Sequence, residues 1–93
     1  MIRVKVKLFG PFRELFGRRE MEIDLPAGLR TIDLLRKLSD SEEKRKHLFS
    51  AADTLHPHIV IMRNGMPAHG PGGLEGLIRD GDIIAVFPLM GGG

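Results

Sequence analysis

Ile2, Val4, Val6 and Leu8 alternate with Arg3, Lys5 and Lys7, the period of a strand with one face buried. Met21, Ile23 and Leu25 alternate in the same way with Glu20, Glu22 and Asp24. Pairing the two segments antiparallel sets a basic outer row against an acidic one, which favours this partner and this register over others. The connection over residues 10–17 reads as a loop, with Pro11 inside it and a glycine at each end. Its Phe12, Leu15 and Phe16 are expected to fold back onto the sheet edge. After Pro26-Ala27-Gly28, Thr31 is the predicted N-cap of a helix, and Asp33 suits the positive end of its dipole. Leu34, Leu35 and Leu38 then recur at helical spacing, so one amphipathic helix covers the sheet.

A second helix is predicted from Ser39-Asp40-Ser41-Glu42, which fits a capping box, with Leu48, Ala52 and Leu55 as its apolar stripe and Pro57 as its stop. Residues 59–62 read as a strand, and Asn64-Gly65 is a strong signal for a hairpin turn. Residues 67–73 read as a loop. Asp80-Gly81-Asp82 turns the chain into a last strand over residues 83–87, apolar on both faces and expected beside the first strand. Hairpin, crossover helix and later strands on one mixed sheet make an α+β domain of two layers.

At 93 residues the chain is one domain with enough length for its own core. It contains no cysteine, which excludes disulfides, thiolate metal sites and a cysteine nucleophile. No apolar stretch approaches the ~20 residues of a membrane-spanning helix, and the first strand carries charges where a signal peptide is apolar. A cytoplasmic protein without a membrane partner is expected. The net charge of +2 is too small to imply a nucleic-acid partner.

His56 and His58 share a strand face by spacing, and His69 is able to join them after a turn, which raises a metal site. Without cysteine or a neighbouring carboxylate no metal is expected there. Lys44-Arg45-Lys46 and Arg18-Arg19 read as solvated charge. Gly70-Pro71-Gly72-Gly73 lacks the Lys-Ser/Thr of a phosphate loop. No paired carboxylates and no Ser/His/Asp set stand out.

The chemistry points instead to Gly91-Gly92-Gly93. Such a run adds nothing to a core and suits a slender backbone entering a narrow site. The residues Leu8-Phe9-Gly10-Pro11-Phe12-Arg13-Glu14-Leu15-Phe16-Gly17, then Asn64-Gly65, Asp80-Gly81-Asp82, Phe87-Pro88 and Gly92-Gly93, in that order, resemble the β-grasp, ubiquitin-like sulfur carrier proteins. The nearest branch is the small subunit of molybdopterin synthase, with the shorter thiamine-pathway carrier as a cousin. The extra length between the first helix and the third strand leans towards the molybdopterin branch. The family commonly closes on Phe-Pro-Pro-Val-Ala-Gly-Gly, whereas Leu89, Met90 and Gly91 stand here for the second proline, the valine and the alanine.

The resemblance implies a β-grasp domain over residues 1–88, with a mixed sheet of four to five strands on one main helix and a short second one. Residues 89–93 would be a flexible C-terminal glycine tail. It further implies that an E1-like adenylating enzyme uses ATP to join the Gly93 carboxylate to AMP. Sulfur then replaces AMP to leave a thiocarboxylate, with Gly92 as the preceding thin link. This chain would bind no cofactor, have no autonomous activity, and insert its tail into the large subunit of a molybdopterin synthase. The alternatives are a sulfur carrier for thiamine or transfer-RNA thiolation, a ubiquitin-like protein modifier, and a binding module with an inert tail.

Residues 88–93, extended, reach roughly 20 Å. Ordering them costs on the order of 1 to 2 kcal/mol per residue, so a docking surface is required. The last strand carries Ile83, Ala85 and Phe87 on one face and Ile84, Val86 and Pro88 on the other, and only one face is able to meet the helix. Phe9 falls on the face of Arg3, Lys5 and Lys7, opposite the core set. Partner docking is therefore expected through Phe9, Phe87, Pro88, Leu89, Met90 and Gly91. The alternative is that Phe87 is core and Phe9 packs under the hairpin loop.

Overall fold

A computed structural model describes residues 1–52, 54–68 and 73–88 of the chain. The expectations for Gly91, Gly92 and Gly93, for Leu89 and Met90, for the tail over residues 89–93, for His69 and for most of the glycine-rich stretch lie outside the described residues.

The alternation at the N-terminus forms β1 (Ile2–Leu8), and its acidic counterpart forms β2 (Glu20–Leu25). They pair antiparallel with Arg3 opposite Asp24, Lys5 opposite Glu22 and Lys7 opposite Glu20, the register that charge predicts. Arg3 Nε donates to Asp24 Oδ1 at 2.8 Å. That bond holds the Asp24 carboxyl below the usual carboxylate range.

The connection between them is not a loop. Residues 11–16 form a short helix, α1 (Pro11–Phe16), with Pro11 in its first turn and Gly17 in the left-handed conformation at its end. Proline in the first turn and glycine past the last are the ordinary helix boundaries. Phe12 is buried by this turn, while Leu15 and Phe16 pack at the core's margin.

The main helix, α2 (Thr31–Leu38), buries Ile32, Leu34, Leu35 and Leu38. Its N-cap is Arg30, one residue before the predicted Thr31. Thr31 is pulled inside because its N–H, and that of Ile32, donate to the carbonyls of Gly76 and Leu74 at 3.0 Å each. The passing loop thus satisfies donors a side-chain cap would otherwise take. Asp33 accepts from the backbone N–H of Arg30 at 2.9 Å and from its guanidinium, as an acidic residue in the first turn should.

The next helix, α3 (Glu42–Leu48), starts from Ser41, whose hydroxyl accepts from Lys44 N, and stops well short of Pro57. Ser39 closes α2 instead of opening α3. The expected stripe through Ala52 and Leu55 gives way to a hairpin of β3 (Phe49–Ala51) and β4 (Thr54–Leu55). The hairpin returns His56 to the helix end, where its N–H reaches Leu48 O at 3.0 Å and its Nε2–H reaches Lys46 O at 2.7 Å. Those contacts satisfy helix-terminal carbonyls and end the helix there.

β5 (Ile59–Arg63) turns through Asn64 and Gly65, both at positive φ, into β6 (Met66–Pro67), which takes the first residue of the predicted loop into a strand. β7 (Ile83–Pro88) completes a five-stranded mixed sheet in the order β2-β1-β7-β5-β6. It lies parallel to β1 and antiparallel to β5, beside the first strand as expected. The Asn64 side chain bridges the two turns: Nδ2 donates to Asp82 Oδ1 at 2.9 Å and Oδ1 accepts from Ile83 N at 2.8 Å.

One face of the sheet packs Val4, Val6, Leu8, Ile59, Ile61, Ile84 and Val86 against Leu34, Leu35 and Leu38 of α2. No helix among the described residues is long and apolar enough to cross a membrane.

Candidate functional site

Period two along β7 assigns its faces. Ile84 and Val86 are sealed in the core, which turns Ile83, Ala85 and Phe87 to the outer face, where Phe87 is half-buried. Phe9, one residue past β1, continues the outer row of Lys5 and Lys7. Its N–H donates to Val86 O at 3.1 Å, the last rung between the two strands. That rung brings the rings of Phe9 and Phe87 together, with centroids 4.3 Å apart and planes 9° from parallel. Phe87 lies outside the core cluster, while Phe9 has the Phe87 ring on one side and Arg13 of the connection over its ring.

Two residues without a predicted role complete the platform. Arg13 of α1 donates from Nε to Leu8 O at 3.0 Å and places its guanidinium carbon 5.4 Å from the Phe9 ring centroid. A cation over a ring face is attracted by the ring's quadrupole. Gly10 lies against Pro88, where a Cβ would stand 2.9 Å from Pro88 Cγ. The signal for both is the helical boundary pair Pro11 and Gly17: a helix turns Arg13 back towards Leu8, whereas a loop leaves it unplaced.

Across β7, Val60 lies opposite Phe87 and Met62 opposite Ala85, so the outer face beside the stack is apolar, with Lys5 and Lys7 along its β1 side. Of the predicted docking residues, Phe9, Phe87 and Pro88 are therefore gathered at one end of the sheet. Rings, a guanidinium and backbone groups bind and orient; they do not transfer protons.

His56 and His58 stack with centroids 5.1 Å apart, and His56 Nε2 carries the proton it donates to Lys46 O. Among the described residues no group of three or more His, Asp or Glu side chains is placed to hold a metal ion. The basic run has structural contacts: Lys44 Nζ pairs with Asp40 at 2.9 Å and stands 5.1 Å from the Phe16 ring centroid.

Five strands in this order, one main helix across them, and a last strand ending beside an aromatic pair define a β-grasp, ubiquitin-like domain. The chain belongs to the ThiS family, whose model matches residues 6–93, and so to the β-grasp sulfur carriers whose relatives include small archaeal modifiers and ubiquitin-related modifiers. It is similar to the small archaeal modifier protein 1 of Methanosarcina acetivorans, at 35% identity and a TM-score of 0.81, with 100% of this chain and 98% of that one covered. A Pyrococcus furiosus protein described as a putative molybdopterin converting factor, subunit 1, is also 35% identical, with a TM-score of 0.74 over 95% of this chain and 98% of its own. The ubiquitin-related modifier 1 homolog of Chlamydomonas reinhardtii is 27% identical over the full length of both chains.

Proposed function

We propose that the Gly93 carboxylate is the reactive group and that this chain acts as a modifier of the small archaeal kind, with sulfur carriage as the other fate of the same activated end. A free carboxylate with a pKa near ~3.5 is ionised at neutral pH and a poor electrophile. An E1-like partner enzyme supplies the activation: a carboxylate oxygen attacks the α-phosphorus of ATP and pyrophosphate leaves. An incoming nucleophile then attacks the acyl carbon, and AMP departs with the bonding pair. Hydrosulfide in that role gives a thiocarboxylate. A lysine amine, losing a proton, gives an amide to another protein.

The observation that carries this reading is the end of β7. The strand finishes at Pro88, one residue past the Phe87 ring that stacks on Phe9, so the residues that follow start beside an apolar outer face suited to a partner. Phe9, Phe87 and Pro88 dock the partner together with Leu89, Met90 and Gly91, and Gly92 keeps the approach to its cleft thin. The family match running through residue 93 supports the same assignment, as do the relatives named as modifiers.

A second reading, the small subunit of a molybdopterin synthase working with a large catalytic subunit, is favoured by the name of the Pyrococcus furiosus relative. Co-expression with an adenylating enzyme and a sulfur source separates the fates. Peptides joining Gly93 to a lysine Nζ mark the modifier, and an intact mass with one oxygen replaced by sulfur marks the carrier. Capture of a large synthase subunit by the charged chain selects the second reading. A plain carboxylate without adducts, where a known carrier is charged, contradicts all of these.

A further inference from the structure

The contact between Gly10 and Pro88 joins the β1–α1 junction to the end of β7, and it depends on the absence of a side chain. Gly10 has φ 60 and ψ −137, a conformation that residues with a Cβ avoid. An ideal Cβ there would meet Pro88 Cγ at 2.9 Å and Cδ at 3.2 Å. The pyrrolidine ring therefore rests on the bare Cα of Gly10.

Gly10 itself has little room to move. Its carbonyl accepts from Arg13 N at 3.1 Å, and Phe12 N donates to Phe9 O at 3.2 Å. Phe12 is buried and anchors this first turn of α1 in the core. On its other side Pro88 stands opposite Ile59 of β5. A proline at this point has a fixed φ and requires no ladder partner for a missing N–H. Pro88 is thus held between the sheet on one flank and the turn at Gly10 on the other.

We propose that Gly10 is a positioning residue: by admitting the Pro88 ring against its Cα, it sets the direction in which the chain leaves the sheet towards the partner's cleft. This inference rests on the reading that the group activated lies beyond Pro88. Glycine restricts the backbone less than any other residue, so a direction for the chain is set more firmly at Pro88 than among glycines. Displacing the root spreads the starting directions, and fewer encounters bring the tip into the site. The cost falls on KM for this chain more than on kcat, because a tip that has arrived reacts as before.

The test is a double-mutant cycle on Gly10→Ala and Pro88→Ala. It is read as initial rates of ATP-dependent adenylation by the E1-like partner enzyme and as the thermal midpoint of each variant. G10A should lose about tenfold in kcat/KM through KM, and P88A should lose less. The double variant should recover to the level of P88A, because the Pro88→Ala change removes both Cγ and Cδ from the path of the methyl added at position 10. Its midpoint should stay below that of P88A, since strain in the backbone at position 10 remains, so rate and stability separate. A G10A chain adenylated at the wild-type kcat/KM, or a double variant as slow as G10A, overturns the inference. Where G10A does not fold, P88A decides through two readouts: a severalfold rise in KM at an unchanged midpoint, with chains lacking Gly91 to Gly93 competing equally well with and without P88A, supports it; wild-type kinetics, or a matching loss of competition, overturns it. A wild-type chain that is not adenylated at all overturns the proposed function, and this inference with it.

Discussion

Phe87 and Leu34 lie on opposite sides of the sheet and do different work. Leu34 is sealed beneath the sheet, and Leu34→Ala should cost about 2–5 kcal/mol through lost transfer energy and the cavity left behind. Phe87 is half-buried on the outer face with Phe9 as its main ring partner, so Phe87→Ala should cost about 2 kcal/mol, a stacked-pair contribution plus the area of a half-buried ring, and less than Leu34→Ala. Urea unfolding measures both. Adenylation by the partner enzyme should reverse the order, with Phe87→Ala the slower of the two after correction for the folded fraction. The face that Phe9 takes is legible from the alternation of β1, because period two leaves no choice once Val4, Val6 and Leu8 are in the core. The roles of Arg13 and Gly10 are not. Both depend on a helix of only about one and a half turns, too short for periodicity to reveal, although Pro11 and Gly17 mark its ends.

At the scale of elements, local pattern and tertiary contact divide the credit. The strands with one solvated face are readable because a one-residue slip would reverse them. The length of α3 escapes the pattern, since the stripe through Leu48, Ala52 and Leu55 continues a helical spacing that the β3–β4 hairpin and His56 interrupt from outside. The start of α2 is displaced for a similar reason: the Gly76 and Leu74 carbonyls occupy the donors that Thr31 was expected to leave for a cap. The resulting Arg30–Asp33 junction predicts an acid response. The hydrogen bond from the Arg30 guanidinium, aided by the Arg30 backbone N–H, holds the Asp33 carboxyl below the usual carboxylate range. A carboxyl lowered in the folded state binds its proton more readily when unfolded. Its contribution is therefore present above about pH 4, the unfolded value, and is lost as pH falls towards the lower folded value. Unfolding followed from about pH 6 to about pH 2 should show a shallower acid limb in Asp33→Asn than in the wild type. Equal slopes would remove Asp33 from the account of acid stability.

For the whole molecule, the two-layer α+β plan and the placement of the last strand beside the first are legible, because a hairpin, an amphipathic crossover and an apolar final strand leave few arrangements; the parallel direction of that strand comes from the structure. The fifth strand of the sheet is not legible: Met66–Pro67 carries only two residues and is created by the Asn64-Gly65 turn and not by its own alternation. Among the described residues the core runs from Val4 to Val86, and deletion of Gly91, Gly92 and Gly93 should leave the thermal midpoint unchanged while abolishing activation. A lowered midpoint would assign the glycines to the fold. The central claim is that this body exists to present the Gly93 carboxylate to an activating enzyme, and trapping tests it most directly. With the adenylating enzyme, ATP and hydroxylamine, intact mass should show the terminal carboxylate converted to a hydroxamate, only when ATP is present. A chain that keeps its carboxylate, in a mixture where a known carrier of the family is converted, would contradict it.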